Sequence, residues 1–232
     1  MAVFLAGDSN IFTLSGWYNL EVLDPDGTAR IQAGQAYLEQ ARKTWMIETR
    51  GREGLINFGK FEKPWRAEFL PEKLIFKEGV ALPDWVQSFP GCNTKYAKFP
   101  LLSQSLKALI DAHKGPMDSW QFFPIDILNK DATPYATYYA WCIGRVRDAV
   151  DETCEGVKPI GGPVDGQHVW NTVGLPVPER LILKKKAIEG LNAWTDFRLF
   201  ASKKVFVSDV LFEAMTVSGA KGFVPDSVWS EK

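Results

Sequence analysis

Residues 120–143 read WQFFPIDILNKDATPYATYYAWCI. Both halves of this stretch show the alternation typical of a strand with one buried face. Residues 131–134 lie between the halves and favour a turn, so the sequence predicts a hairpin with strands over 120–128 and 135–143. Pro124 cannot donate a hydrogen bond to a neighbouring strand, and we therefore expect a sheet edge or a bulge there.

A helix is predicted directly before this hairpin, over residues 104–113. Ser103 is a favoured N-cap residue, and Gly115 with Pro116 ends the helix. Apolar residues recur at helical spacing and predict one buried face. This face consists of Leu106, Leu109, Ile110 and His113.

A second hairpin and a last helix are predicted near residue 200. Strands over 197–200 and 205–207 flank a polar turn. Ser208 caps the following helix and Gly219 ends it. The expected apolar face of this helix has Val210, Ala214 and Val217 at its centre, with Leu211 and Met215 at its flank. The expected core residues of the block are Phe197, Leu199, Phe206 and Leu211.

The order of these elements decides the fold class. Residues 145–155 are expected to begin as a helix, and 157–177 are expected to form a long Gly/Pro-rich loop. Helix, hairpin, loop, hairpin and helix make an α+β fold, with a mixed, largely antiparallel sheet and flanking helices. We expect a variable N-terminal α+β region over 1–95 and a core region over 96–232, and one continuous domain stays open as the alternative.

The first 95 residues carry weaker signals. They predict extended pieces over 11–18, a turn at 24–27 and a helix over 33–42. Strands are expected over 55–61 and 65–69. From residue 82 the sequence favours a short helix at most.

Composition places the chain among globular proteins, with 46% hydrophobic and 24% charged residues. No apolar run has the roughly 20 residues of a membrane span, and the first residues do not resemble a secretory leader. We therefore expect a cytoplasmic protein. The three cysteines, Cys92, Cys142 and Cys154, show no paired spacing and predict neither a disulfide framework nor a zinc site.

Charge and aromatic residues are unevenly used. The net charge of −1 argues against a nucleic-acid binder with a uniformly basic surface. Residues 111–165 hold nine acids and five bases, whereas 176–204 hold three acids and seven bases. Such blocks are typical of solvated faces or of surfaces that complement a charged partner. The nine tryptophans suit either a sheet core or a protein interface.

No sharp catalytic motif occurs in the chain. His113 lies on the apolar face of its helix, which favours a structural role. Asp165 and His168 lie three residues apart in the predicted loop and could pair for acid–base chemistry. This pair defines an alternative reading of the chain as a small hydrolase.

Several blocks of the sequence together resemble a family of bacterial immunity proteins from polymorphic toxin systems. The resemblance covers about residues 98–225, and its strength lies in the order of the blocks. They are 99–103, 120–125 with the strand over 135–141 and Asp148, and the closing block 197–200, 205–209 and 219–225.

The resemblance implies a binding protein rather than an enzyme. Such a protein neutralises one cognate toxin, commonly delivered by a contact-dependent or type VI secretion system, and needs no cofactor. We expect a stoichiometric inhibitor that occludes the toxin's active site, with a nuclease as the toxin. No direct contact with nucleic acid or membrane is expected, and a homo-oligomer is left open. The enzymatic alternative acts through Asp165 and His168, or reverses a modification made by the toxin.

Apart from Asp148, contact residues are expected outside the family blocks. Four acids spaced i, i+3, i+4 and i+7 would form one stripe on the predicted helix, and the stripe suits a solvated face, a cation site or a toxin-contact surface. These acids are Asp148, Asp151, Glu152 and Glu155. The predicted loop adds Asp165, His168 and Trp170, of which Trp170 is expected to be an exposed aromatic anchor.

Overall fold

Two six-stranded sheets and a separate hairpin make up the strands of the computed structural model, which describes residues 1–7, 20–48, 66–77, 81–87, 99–164, 167–172, 181–196, 199 and 205–232. The strands are β1 (Ala2–Gly7), β2 (Leu20–Val22), β3 (Lys73–Phe76), β4 (Trp85–Val86), β5 (Leu101–Leu102), β6 (Trp120–Leu128), β7 (Pro134–Ile143), β8 (Val146–Arg147), β9 (Val157–Val164), β10 (Gln167–Thr172), β11 (Ile182–Leu183), β12 (Ala193–Asp196), β13 (Val205–Ser208) and β14 (Phe223–Glu231). The helices are α1 (Gly27–Glu48), α2 (Gln104–Ala112), α3 (Lys185–Ile188) and α4 (Asp209–Val217). The predicted α+β class is confirmed.

The first sheet has the order β11-β14-β1-β13-β12-β8. Its centre is antiparallel, because β1 lies between β13 and β14 and runs opposite to both. At its two edges the pairing is parallel, between β11 and β14 and between β8 and β12. A mixed sheet was expected from the sequence. The hairpin predicted near residue 200 is formed by β12 and β13, so its first strand lies upstream of the predicted strand over 197–200. Phe197 and Phe200 lie outside the described residues.

The second sheet has the order β2-β3-β6-β7-β5-β4 and contains the predicted hairpin. β6 and β7 pair antiparallel from Trp120 opposite Ile143 to Leu128 opposite Pro134. The parallel pairing of β6 with β3 starts only at Asp126, so in the registered pairs Pro124 has a strand on one side only. The proline therefore lies where a missing N–H donor is tolerated.

Residues before position 95 contribute strands to both sheets. β1 is central in the first sheet, and β3 lies beside β6 in the second. Strand pairing thus crosses residue 95, and the division of the chain into domains stays a prediction.

Hydrophobic side chains cover both faces of each sheet in three buried clusters. One cluster lies between the sheets and helices, where α2 and α4 pack on β1, β13, β5 and β7. A second covers the other face of the second sheet. A third covers the other face of the first sheet and contains Trp194, Phe206 and Trp229. Six of the nine tryptophans are therefore buried in these clusters, which favours the sheet core as their main role; they are Trp85, Trp120, Trp141, Trp170, Trp194 and Trp229.

Helices α2 and α4 begin where the sequence predicts. Ser103 Oγ accepts a hydrogen bond from the Leu106 N–H at 3.3 Å, and Ser208 Oγ accepts from the Leu211 N–H at 3.1 Å. The predicted central face of α4 is wrong, however, because Val210 is 61% exposed and Val217 is 80% exposed. Apolar residues occupy two adjacent faces of this helix, and the sheet covers the face with Leu211 and Met215. The remaining members of the predicted core that the structure describes, Leu199 and Phe206, are buried.

Predictions for the N-terminal region have mixed outcomes. The turn at 24–27 is confirmed, with the Gly27 N–H donating to the Asp24 carbonyl, and the helix over 33–42 is confirmed within the longer α1. The short helix from residue 82 is wrong, because Trp85 pairs with Leu102 in β4 and β5. The strand expected over 65–69 is wrong in its described part, where Ala67–Phe69 forms a 3-10 turn. The strands expected over 11–18 and 55–61 lie outside the described residues.

Within the described residues, none of the helices combines the length and apolar character that a membrane span needs.

Candidate functional site

The segment that carries the four predicted contact acids, residues 148–155, is not helical. Val150 forms an isolated antiparallel bridge with Leu183. The Asp151 N–H donates to the Ile182 carbonyl at 2.9 Å. The predicted helix over 145–155 is therefore wrong, because the backbone groups that a helix would pair internally bond to the neighbouring strand. We call residues 148–155 the acidic segment.

A buried carboxylate holds the acidic segment against the first sheet. Asp196, at the end of β12, is 2% exposed. Its Oδ2 accepts hydrogen bonds from the N–H groups of Ala149 at 2.8 Å and Val150 at 3.2 Å, and its Oδ1 accepts from the Leu199 N–H at 2.9 Å. A carboxylate can stay buried when several donors satisfy it. Sequence reasoning missed Asp196, since no local spacing marks it as buried.

Asp151 forms a tight turn within the acidic segment. Its Oδ1 accepts hydrogen bonds from the Thr153 N–H at 2.9 Å and from the Thr153 hydroxyl at 2.7 Å. The Thr153 hydroxyl and N–H lower the pKa of Asp151 below its ordinary value, and the positive charges of Lys232 and Lys184 lower that pKa further. Asp151 therefore stays negatively charged well below neutral pH.

The other three acids of the segment are at the surface. Asp148, Glu152 and Glu155 are exposed, and Asp151 is partly exposed. They follow an extended and turning backbone instead of one helical stripe. Their exposure fits both the solvated face and the partner-contact surface that the sequence left open.

The predicted loop over 157–177 is wrong in its described part, which forms a hairpin. β9 and β10 pair antiparallel, with Val157 opposite Thr172 and Val164 opposite Gln167. The Asp165-Gly166 pair between these strands lies outside the described residues. Asp-Gly between two extended segments is a hairpin signal, and it is the feature of the sequence that predicts this element.

His168 and Trp170 lie on β10. The indole of Trp170 is 8% exposed and packs in the cluster that also contains Cys154 and Val157. The exposure expected of Trp170 is therefore wrong, and its contact with a partner stays a prediction. The His168 ring is partly exposed and lies 5.6 Å from the Trp170 ring, centroid to centroid. Because Asp165 lies outside the described residues, the acid–base pair with His168 also stays a prediction.

A basic cleft lies beside the acidic segment. It has a volume of about 460 Å³. The side chains that line it are Lys184, Lys185, Lys186, Glu189 and Lys232. The Lys184 N–H donates to the Ala149 carbonyl at 2.7 Å, so the backbone of the cleft is bonded directly to that of the acidic segment. We call it the lysine cleft.

Another charged cleft, lined by Asp24, Asp26, Arg30, Glu72 and Lys73, carries both signs of charge and contains the ion pair of Arg30 with Glu72. No three His, Cys, Asp or Glu side chains of the described residues come together as a metal site. Cys142 and Cys154 are buried thiols. The described site thus has two adjacent surfaces of opposite charge.

A model of the immunity protein family Imm11 matches residues 32–229 of the chain. The chain belongs to the Imm11 immunity protein family. The resemblance to immunity proteins of polymorphic toxin systems is thereby confirmed, and the match begins well upstream of residue 98. No protein of curated function matches the chain in sequence.

Two of the blocks that mark this Imm11 protein meet at Asp84. Its Oδ1 accepts a hydrogen bond from the Ser103 hydroxyl at 2.7 Å, and its Oδ2 accepts from the Lys221 N–H at 3.0 Å. Ser103 belongs to the block 99–103 and Lys221 to the block 219–225. Asp84 therefore joins two regions of the fold. One is the start of α2, directly after β5 of the second sheet, and the other is the turn before β14 of the first sheet.

A second buried carboxylate of the Imm11 fold is equally structural. Asp118 is 7% exposed. Its Oδ1 accepts from the Asn192 N–H and its Oδ2 from the Gly115 N–H, both at 2.8 Å. Asp118 thus joins the turn after α2 to the residue before β12.

Proposed function

We propose that the protein neutralises one cognate toxin by binding it and covering its active site. Membership of the Imm11 family supports the immunity role and a toxin as the partner. The observation that carries the proposed contact surface is the acidic segment, whose exposed carboxylates lie on a backbone fixed by Asp196. Fixed charges bind with less loss of conformational entropy than charges on a disordered loop.

The toxin that we propose is a nuclease that acts in the cytoplasm, where the immunity protein would also reside. A nuclease must bind a phosphate backbone and therefore needs a basic groove. The acidic segment has four carboxylates and no basic residue, so it complements such a groove and would speed association. We expect an interface near the standard ~1,600 Å² and an association rate that falls as salt rises.

The test compares two aspartates that occupy the same kind of turn. Asp131 Oδ1 accepts from the Thr133 N–H at 3.1 Å and the Thr133 hydroxyl at 2.6 Å, as Asp151 does with Thr153. We expect Asp151→Lys, alone and with Glu152→Lys, to slow association with the toxin encoded beside this gene by roughly three- to tenfold at low salt. Asp131→Lys makes the same charge change and disrupts the same turn outside the proposed surface.

Association rates measured by surface plasmon resonance at two salt concentrations decide the outcome. The proposal predicts a slower and less salt-dependent rate for Asp151→Lys, an unchanged rate for Asp131→Lys, and native circular dichroism for both. Equal rates for the two variants would return the acidic segment to the role of a solvated face. Failure of the wild-type protein to bind or protect against the toxin would overturn the proposed function itself.

A further inference from the structure

The lysine cleft is built on regular backbone pairing. β11 and β14 run parallel with Leu183 opposite Glu231, so Lys184 and Lys232 are the next residues on two adjacent strands. The Lys232 N–H donates to the Leu183 carbonyl at 3.0 Å, and the Lys185 N–H donates to the Lys232 carbonyl at 2.9 Å. The backbone that carries the lysines is thus hydrogen-bonded across the edge of the first sheet.

The positive charge of the cleft is only partly offset by neighbouring side chains, since Asp151 of the acidic segment interacts electrostatically with Lys184 and Lys232. Ion pairs form elsewhere in the described residues, as between Lys107 and Asp111, but none of those found there involves a lysine of the cleft. Glu189 supplies one carboxylate to the lining, against four ammonium groups. Like charges held close together repel one another, so binding of an anionic group would relieve a cost that the free protein carries.

The neighbouring acidic segment restricts which anion fits. The Lys184 N–H donates to the Ala149 carbonyl, and the Asp151 N–H donates to the Ile182 carbonyl. These two bonds place the lysine cleft and the acidic segment side by side. A nucleic acid that extended beyond the cleft would bring its phosphates against carboxylates. A protein can instead present an acidic segment to the lysines and a basic surface to the carboxylates.

We infer that the lysine cleft binds an acidic segment of the cognate toxin, an inference that rests on the proposed function. The two charged surfaces then act together as an orientation device. In one docked orientation both surfaces meet opposite charge, whereas the orientation rotated by half a turn brings like charges together. The acidic segment would thus supply attraction to the toxin's groove, and the cleft would select how the toxin docks.

The experiment compares two double charge reversals in the full-length chain. Lys185→Glu with Lys186→Glu removes the exposed lysines at the start of α3, and Lys130→Glu with Lys221→Glu makes the same charge change at exposed positions outside the cleft. The probes are the inactivated toxin encoded beside the gene, a hexaglutamate peptide and an oligothymidylate. Affinities are measured by calorimetry, and the mass of the free protein by sedimentation.

The inference predicts that the cleft variant binds the toxin at least about tenfold more weakly than wild type, while the control variant binds as wild type does. The hexaglutamate peptide should bind wild type better than the oligothymidylate does and should lose binding in the cleft variant. Melting temperature should stay equal or rise in the cleft variant, since repulsion is removed.

Each other outcome contradicts the inference in a recognisable way. Equal toxin affinity of the cleft and control variants sinks the inference and leaves the proposed function standing. Tighter binding of the oligothymidylate would make the cleft a nucleic-acid site, and a dimer lost only in the cleft variant would make it a contact between two copies. A toxin that does not bind wild type overturns both proposals together.

Discussion

Buried carboxylates show how single residues organise this protein. Asp196 and Asp118 are both nearly inaccessible, and each accepts backbone N–H groups from segments distant in sequence. Removing such an acceptor would leave several buried donors unsatisfied, which costs more than the hydrogen bonds contribute. These two side chains therefore determine where the acidic segment and the start of β12 lie.

Two glycines of the closing block allow a prediction at the residue scale. Gly222 has φ +105°, and a Cβ added there would lie 2.1 Å from the Trp85 carbonyl oxygen, whereas Gly219 has φ +75° and open space around it. Gly219→Ala should cost about 1–2 kcal/mol for the left-handed backbone alone. Gly222→Ala should cost on the order of 4 kcal/mol or more, because backbone atoms must move as well. Urea unfolding of both variants measures the difference, and equal losses would show that the close approach to Trp85 is unimportant.

The distance in sequence between a side chain and its hydrogen-bond partners decides whether the residue's role can be predicted. Ser103 and Ser208 were predictable as caps because the donors they bond lie three residues away. Asp196 was not, because its partners Ala149 and Val150 lie nearly fifty residues upstream, and only the folded sheet brings them together. The candidate site depends on such distant pairing, and so its four acids could be named from the sequence, whereas Asp196, the lysine cleft and the geometry of the site could not.

Where the local sequence pattern permits more than one structure for a helix or strand, the neighbouring elements determine which one forms. The hairpin of β6 and β7 follows from alternation over two adjacent segments, and α2 from its cap and apolar spacing. The acidic segment has helical spacing of its acids, but strand β11 takes its backbone hydrogen bonds. On α4, the pattern permits two apolar faces, and the position of β1 and β13 selects the one with Leu211.

The closing hairpin and α4 supply a matched pair of substitutions. Phe206 is fully buried between Trp194, stacked at 5.4 Å, and Trp229, in edge contact at 5.4 Å. Phe206→Ala should lower the free energy of unfolding by about 3–5 kcal/mol. Val210→Ala, on the exposed face of α4, should change it by no more than about 0.5 kcal/mol. Chemical denaturation followed by circular dichroism tests both, and comparable losses would mean that the exposed face of α4 is also packed.

Seen as a whole molecule, the chain separates structural and surface roles. Two of the family blocks meet at the partly buried Asp84, and their apolar residues pack in the cores of the two sheets. Charge is concentrated at one edge of the first sheet, where the acidic segment and the lysine cleft adjoin. With a net charge of only −1, the orientation that we propose for the toxin would come from this local separation of charge rather than from the net charge.

We propose that protection comes from binding and not from turnover, and a titration of toxin activity by this protein distinguishes the two. At toxin concentrations far above the dissociation constant, a stoichiometric inhibitor should reduce toxin activity linearly and abolish it at about one molar equivalent, independent of incubation time. If a small fraction of a molar equivalent silenced the toxin completely, and the inhibition increased with incubation time, the protein would be a catalyst that modifies the toxin or reverses its effect. That result would contradict protection by stoichiometric binding.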